Sequence, residues 1–248
     1  MTRAALIVFW DYDTQWGADR SRTPGGPKSY GMRDFQCTEE LLEIHAEHDA
    51  PSCFAVVGAA ALAGERPYHD PAQIRAVHAA GHEIASHSYC HEWLPALSPG
   101  RLRTTLQQSR DALEQCIGAR VVTFVPPFNA PFDHAPAAAW SLSERREVKG
   151  RRTDVRTLAE TLGETGYRLA RLSFRPLLTK VLQRIFRTQF HKPGRLQPIY
   201  GIRMLRLNTP CGFGPDSIAM LHRCARNGGL TVVYGHPHSL HGGGAQDR

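Results

Sequence analysis

Short apolar runs alternate with stretches whose apolar residues recur at helical spacing through the first half of the chain. Residues 6–10 (Leu-Ile-Val-Phe-Trp) form an unbroken apolar run of strand length. Residues 39–48 carry Leu41, Leu42 and Ile44 at helical spacing, with Thr38 as the candidate cap. Residues 53–58 are a second strand candidate, and 71–80 a helix that stops at Gly81. Residues 83–86 predict a third strand, 102–117 a longer amphipathic helix ending at Gly118, and 121–125 a fourth strand running into Pro126-Pro127-Phe128. A last strand candidate spans 230–234. Strand and helix alternating at this spacing imply parallel β pairing with helical crossovers, an α/β class whose chemistry lies at the strand C-termini.

The second half is less regular. Residues 135–155 are Ala/Pro-rich and then strongly charged, as a surface insertion would be, and 157–166 read as a helix. From Thr165 to Pro215 there is no Asp or Glu, while Arg168, Arg171, Arg175, Lys180, Arg184 and Arg187 are among the cations. Within that stretch Leu177, Leu178, Val181, Leu182, Ile185 and Phe186 fall at helical spacing with cations between them, an amphipathic basic helix. Such a helix, over about 175–192, suits peripheral contact with an anionic membrane or cover for a phosphate-bearing substrate, and equally suits ordinary core packing. No recognition motif or aromatic platform accompanies the charge, so nucleic acid is not an expected partner.

At 248 residues with a formal charge of +7, the chain is expected to form one domain over 1–248, with a basic insertion at about 135–215 and a disordered tail at 242–248. No apolar run is long enough to span a membrane, and the N-terminal run is too short for a signal peptide, so a cytoplasmic location is the expectation. The six cysteines include no C-x-x-C pair and are expected to be reduced.

Two places carry candidate chemistry. His87-Ser88-Tyr89-Cys90-His91 spaces two imidazoles four residues apart, which on a helical turn places both on one face. Asp11-Tyr12-Asp13 follows the first strand, where residues two apart share a face. Two histidines and a carboxylate form an open site for zinc or a similar divalent ion. A lone H-x-x-x-H is also what a solvated helix face shows. Gly235-His236-Pro237-His238, after the last strand, delivers histidine to the same rim, and spacing alone does not choose between His236 and His238.

In this setting Gly81-His82-Glu83-Ile84-Ala85-Ser86-His87-Ser88-Tyr89-Cys90-His91 resembles the metal-binding motif of the polysaccharide deacetylase (NodB-homology, carbohydrate esterase 4-like) family. Cys53-Phe54-Ala55-Val56-Val57-Gly58 resembles that family's second strand, and the stretch from Leu97-Ser98 to Phe128 its helix and third motif. The match is collinear from about Ile7 to Asn129 and resumes near Val232. The resemblance implies a distorted (β/α) barrel with fewer than eight complete units and metal-dependent removal of an N-acetyl group from an acetamido sugar. It implies Asp13, His87 and His91 as ligands of a divalent ion, zinc first, with Co, Ni or Mn as alternatives. By the same resemblance Asp11 is the general base, His236 the general acid, and Phe128 a backbone donor toward the oxyanion. Pro127 and His238 are further candidates for oxyanion or substrate contact.

The chain departs from the family pattern in two places. Val125 stands where the family carries an arginine that orients the base, leaving Arg20, Arg22 or Arg33 as candidate substitutes. The Asp and Trp expected after Gly166-Tyr167 are absent from Arg168-Leu169-Ala170-Arg171-Leu172. Two other readings stand beside the deacetylase. One is a hydrolase of cyclic amides or imides on the same fold. The other is a catalytically degenerate carbohydrate-binding protein, supported by the missing arginine.

Overall fold

A computed structural model describes residues 3–21, 28–129, 155–172 and 194–241. The expected basic helix around 177–186, most of the 135–155 stretch and the 242–248 tail lie outside the described residues. An eight-stranded sheet has the order β6-β7-β5-β4-β3-β2-β1-β8. Its strands are β1 (Ala4–Tyr12), β2 (Cys53–Val56), β3 (Glu83–Ser86), β4 (Thr123–Phe124), β5 (Leu169–Leu172), β6 (Leu196–Ile199), β7 (Ile202–Arg206) and β8 (Gly229–Gly235). Every pairing is parallel except β6 with β7. The helices are α1 (Thr14–Arg20), α2 (Gly31–Glu47), α3 (Pro71–Ala79), α4 (Pro99–Ile117), α5 (Val155–Glu164) and α6 (Pro215–Asn227). No described helix is long and apolar enough to cross a membrane.

Strand alternation sorts the side chains into two cores. Phe9, Cys53, Ala55, Ala85, Val125, Leu205 and Val232 form one, on the inner face of the sheet. Their strand neighbours Trp10, Tyr12, Phe54, Val56, Ile84 and Phe124 face the other way, against Phe35, Leu41, Ile74, Leu106 and Leu113 of the helices. The inner face is strongly concave. Arg171 of β5 bonds Asp11 of β1 at 2.7 and 2.6 Å. Four strand spacings separate β5 from β1, about 19 Å across a flat sheet, so the sheet must curl to bring them together. An antiparallel bridge joins Gly194, just before β6, to Leu230 of β8, and these strands stand at opposite ends of the order.

Local chemistry explains several boundaries. Asp70 accepts from the Gln73 N–H at 2.8 Å and Pro71 opens α3. Ser98 caps α4, with Pro99 next, and Gly118 ends it with φ 67°, a left-handed conformation that glycine adopts without a Cβ clash. The other expectations change in detail. Thr38 caps nothing: α2 begins at Gly31 and Thr38 is buried within it. The extra turns are held by remote partners, since Asp34 binds Thr14 and His238. In β4 only Thr123 and Phe124 pair in register, and before it the Val121 N–H turns to the Glu114 carboxylate.

The described part of the stretch read as an insertion belongs to the sheet. β5 lies between β4 and β7, and Leu158, Leu162, Tyr167, Ala170 and Met204 are core residues. Tyr200 (φ 46°) and Gly201 (φ 82°) form the two-residue turn between β6 and β7, the paired positive φ values of a tight hairpin. The charge of this stretch hid strands whose alternate residues are apolar.

Candidate metal centre

The inner face of the sheet delivers the candidate residues to one end of the molecule. Asp11 follows Phe9 on that face of β1, and Asp13 lies one residue past the strand end. His87 directly follows β3, and His236 directly follows β8. Asp13, His87 and His91 present one potential ligand atom each, all within 4.8 Å of one another, and all three residues are buried. Asp13 Oδ1 stands 3.3 Å from His87 Nε2 and 3.4 Å from His91 Nε2.

The histidine pair does not sit on a helical turn, as its spacing suggested. Residues 87–91 form an irregular loop in which Ser88 (φ 63°) and His91 (φ 59°) are left-handed. Each costs on the order of 1–3 kcal/mol of local strain, which surrounding bonds must hold. The His87 N–H donates to Val56 O, the Gly58 N–H to Ser88 O and the Ala59 N–H to Tyr89 O. Buried Glu92 accepts from the Cys90 N–H at 2.8 Å and from Thr105 Oγ1 at 2.6 Å. Those bonds staple the loop to β2 and α4 and turn both imidazoles inward.

Three features fit the cluster to a cation. His87 Nδ1 is 2.9 Å from the Val125 carbonyl, which can only accept, so Nδ1 carries a proton and Nε2 is the nitrogen turned toward the cluster. Asp13 Oδ1 is buried with no hydrogen-bond donor aligned on it, although two ring nitrogens face it. Burial acts to raise the Asp13 carboxyl pKa, but the facing imidazoles outweigh it and hold the group well below its ordinary value, so it is ionised. An ionised oxygen lacking a donor, with imidazole nitrogens around it, is a set that a divalent ion completes. Space for the carboxylate depends on Gly17, where a Cβ would lie 2.5 Å from Asp13 Cβ.

Asp11 is buried beside the cluster. Its two oxygens take both arms of the Arg171 guanidinium, and Arg171, fully buried, is stacked between the rings of Phe9 (5.0 Å) and Tyr234 (4.7 Å). Burial would raise the Asp11 pKa; the Arg171 charge first, then His87 and the Arg171 hydrogen bonds, hold it below the usual carboxylate value. Arg171 was legible only as one of many cations in a basic stretch. Its signal was an arginine inside an apolar strand run, Leu169-Ala170-Arg171-Leu172. Among the three candidate substitutes, Arg22 lies outside the described residues, and the bonds to Asp11 come from Arg171 instead.

His236 and His238 part ways. His236 Nε2 is 4.0 Å from Asp13 Oδ2, and its Nδ1 is 3.7 Å from Cys211 Sγ. His238 is buried and turned away, with Nδ1 2.8 Å from Asp34 Oδ1 and its ring stacked on Tyr30. Tyr30, Asp34, Arg171 and Cys211 are the neighbours that sequence reasoning did not place. Burial, with Asp13 and Asp34 nearby, holds the Tyr30 phenol well above its ordinary pKa, so it remains a hydrogen-bond donor. Phe128 (φ 60°) sets its ring 4.6 Å from that of His91, and Pro127 before it is buried.

The polysaccharide deacetylase family model matches residues 29–143, which include both histidines of the cluster. That match takes in somewhat under half of the chain. Asp13, His87 and His91 form a clustered Asp/His/His site, and the two histidines lie within the matched residues. The chain is 29% identical over 89 residues to the uncharacterized Bacillus subtilis (strain 168) protein YlxY, a match that covers 36% of this chain and 26% of that one. The chain thus aligns with about a quarter of that relative. A solved protein from Mycobacterium smegmatis, assigned as a polysaccharide deacetylase, is 20% identical with a TM-score of 0.61, covering 96% of this chain and 78% of its own. One assigned likewise from Pseudomonas aeruginosa PAO1 is 15% identical with a TM-score of 0.58, at 96% and 79% coverage. An allantoinase structure is 16% identical with a TM-score of 0.57, at 96% and 78% coverage. At these identities the likenesses concern the fold alone.

Proposed function

We propose that the chain is a metal-dependent hydrolase that removes an N-acetyl group from an acetamido sugar or sugar conjugate, releasing acetate. The observation that carries this reading is the ligand cluster of Asp13, His87 and His91 with the Asp11–Arg171 pair beside it on the inner face of the sheet. The curl of that sheet supports a distorted (β/α) barrel of the deacetylase type. A divalent ion, zinc by preference, would be held by Asp13, His87 and His91 and would supply Lewis acidity and lower the pKa of water. The residues of the chain do the rest. Asp11, fixed by Arg171, takes the proton of the attacking water. The Phe128 N–H donates to the developing oxyanion, with Pro127 shaping the approach. His236 protonates the leaving amine, since an amine anion is too poor a leaving group to depart unprotonated. The Arg171–Asp11 pair supplies an arginine partner for the base, and the degenerate-binder reading rested on lacking one.

The acid-free basic stretch favours a substrate bearing phosphate, linked to a nucleotide or a lipid. The deciding experiment couples metal analysis of the purified protein to an acetate-release assay on free, nucleotide-linked and lipid-linked acetamido sugars, with cyclic ureides beside them. Metal-dependent acetate release that is lost in Asp11→Asn and His87→Ala is expected. Ring opening of a ureide without acetate release would replace this reading with the cyclic amidase, whose fold the allantoinase likeness supports.

A further inference from the structure

Asp13 has two oxygens, and they face different surroundings. Oδ1 points between His87 and His91, whereas Oδ2 lies 3.3 Å from the Tyr30 hydroxyl and 4.0 Å from His236 Nε2. Tyr30 precedes α2 and is itself held on two sides. Ser21 Oγ is 3.4 Å from its hydroxyl, and the His238 ring lies nearly parallel to its own at 3.8 Å, tilted by 18°. His238 cannot slide, because its backbone N–H (2.9 Å) and its Nδ1 (2.8 Å) both meet Asp34 Oδ1. The other oxygen of Asp34 accepts from the Thr14 N–H at 2.7 Å, and Thr14 is the residue after Asp13. Thr14 has φ 55°, so this bond holds a left-handed residue at the point where the chain leaves β1.

Asp34 is fully buried, and Tyr30 and His238 are nearly so. Buried polar groups whose partners are all satisfied form stiff arrangements, since any displacement strands a donor or acceptor away from water. The arrangement joins three places remote in sequence: the exit of β1, the start of α2 and the turn after β8.

We propose that Tyr30, clamped by His238 on Asp34, is a positioning residue that occupies Oδ2 of Asp13, restricts Asp13 to a one-oxygen ligand through Oδ1, and thereby sets the metal affinity of the site. The proposal rests on the reading of Asp13 as a metal ligand. A carboxylate can hold a divalent ion with one oxygen or two, and a donor on one oxygen favours the one-oxygen mode. Partners that orient a ligand are commonly worth about ten- to a hundred-fold in metal affinity. His238 then serves the site from behind Tyr30 rather than by touching substrate.

The test uses the full chain, stripped with a chelator and titrated with Zn(II) against a chelating dye, and with Co(II) followed by its visible absorption. Tyr30→Phe is expected to weaken Zn(II) binding by roughly ten-fold or more and to shift the Co(II) bands as the coordination mode changes. His238→Ala should move both readouts the same way. Tyr68→Phe removes a matched tyrosine-to-aspartate bond, to Asp19, and should leave both unchanged. Should Tyr30→Phe, shown by its melting curve to be folded, bind Zn(II) within two-fold of the parent with the same Co(II) spectrum, while Asp13→Ala loses binding, the positioning role is overturned and the metal centre stands. Were Asp13→Ala to bind as tightly as the parent, the metal-centre reading itself fails and takes the proposal with it. Tyr30→Phe alone decides the matter if His238→Ala does not fold.

Discussion

Asp11 and Arg171 are both buried, so each charge is tolerable only because the other is present. Arg171→Met should destabilise the protein by about 3–5 kcal/mol, the usual cost of leaving one partner of a buried pair unmatched. The double variant Asp11→Leu/Arg171→Met should recover much of that loss while remaining inactive. Denaturant titrations of the two variants check this, and an Arg171→Met variant as stable as the parent would show that the pair is not mutually dependent. At Gly17 the constraint is steric. Because a Cβ there would overlap the Asp13 side chain, Gly17→Ala should lower bound metal at a fixed Zn(II) concentration with only a small loss of secondary structure. Elemental analysis beside a circular dichroism spectrum separates displacement of the ligand from general unfolding.

At the scale of elements, the sheet is tied to α2 and to the turn before β3 by two buried histidines that are held neutral. Indole N–H can only donate, so the 2.8 Å bond from Trp10 makes His45 Nε2 an acceptor and places the proton on Nδ1, toward Ala50 O. The Ser52 N–H likewise donates to His82 Nδ1. Burial lowers both pKa values from 6.5. The folded form therefore takes up protons at lower pH than the unfolded chain, and this stabilisation is full above about pH 6.5 and lost as the pH falls toward the lowered folded values. Unfolding free energy should decline between pH 7 and 5, and His45→Gln should flatten the decline. A slope unchanged in that variant would assign the acid sensitivity elsewhere. Most elements of the first half were legible because their periodicities are strong, and Gly118 ends α4 as its residue type suggests, while the caps at Asp70 and Ser98 emerge only in the structure. The loop at residues 87–91 was not. H-x-x-x-H reads as a helical turn, and only the staples from Gly58, Ala59 and Glu92 make an irregular loop the better solution.

For the whole molecule, the ligands come from separate parts of the chain, Asp13 after β1 and the histidines after β3, so a bound ion cross-links the fold. Ligand that binds only the folded form stabilises by about 2.7 kcal/mol at a free concentration a hundred times its Kd. Zn(II) should raise the melting temperature of the stripped protein and leave that of His87→Ala unmoved. An equal rise in both would mean the ion binds elsewhere. The same curl that gathers the ligands brings β5 to β1, and with it the arginine that the third motif lacks.

The sequence alone determined the alternation of strands and helices, the parallel class and the identity of the ligand cluster, because each is written in local spacing or in short collinear motifs. The neighbours of those residues were a tertiary matter. Arg171 reaches Asp11 across 160 positions of sequence, and His238 reaches Asp34 across 204. No periodicity encodes such a pairing. It exists because a curled sheet folds strand ends together and because buried charges must find partners there, wherever along the chain those partners arise.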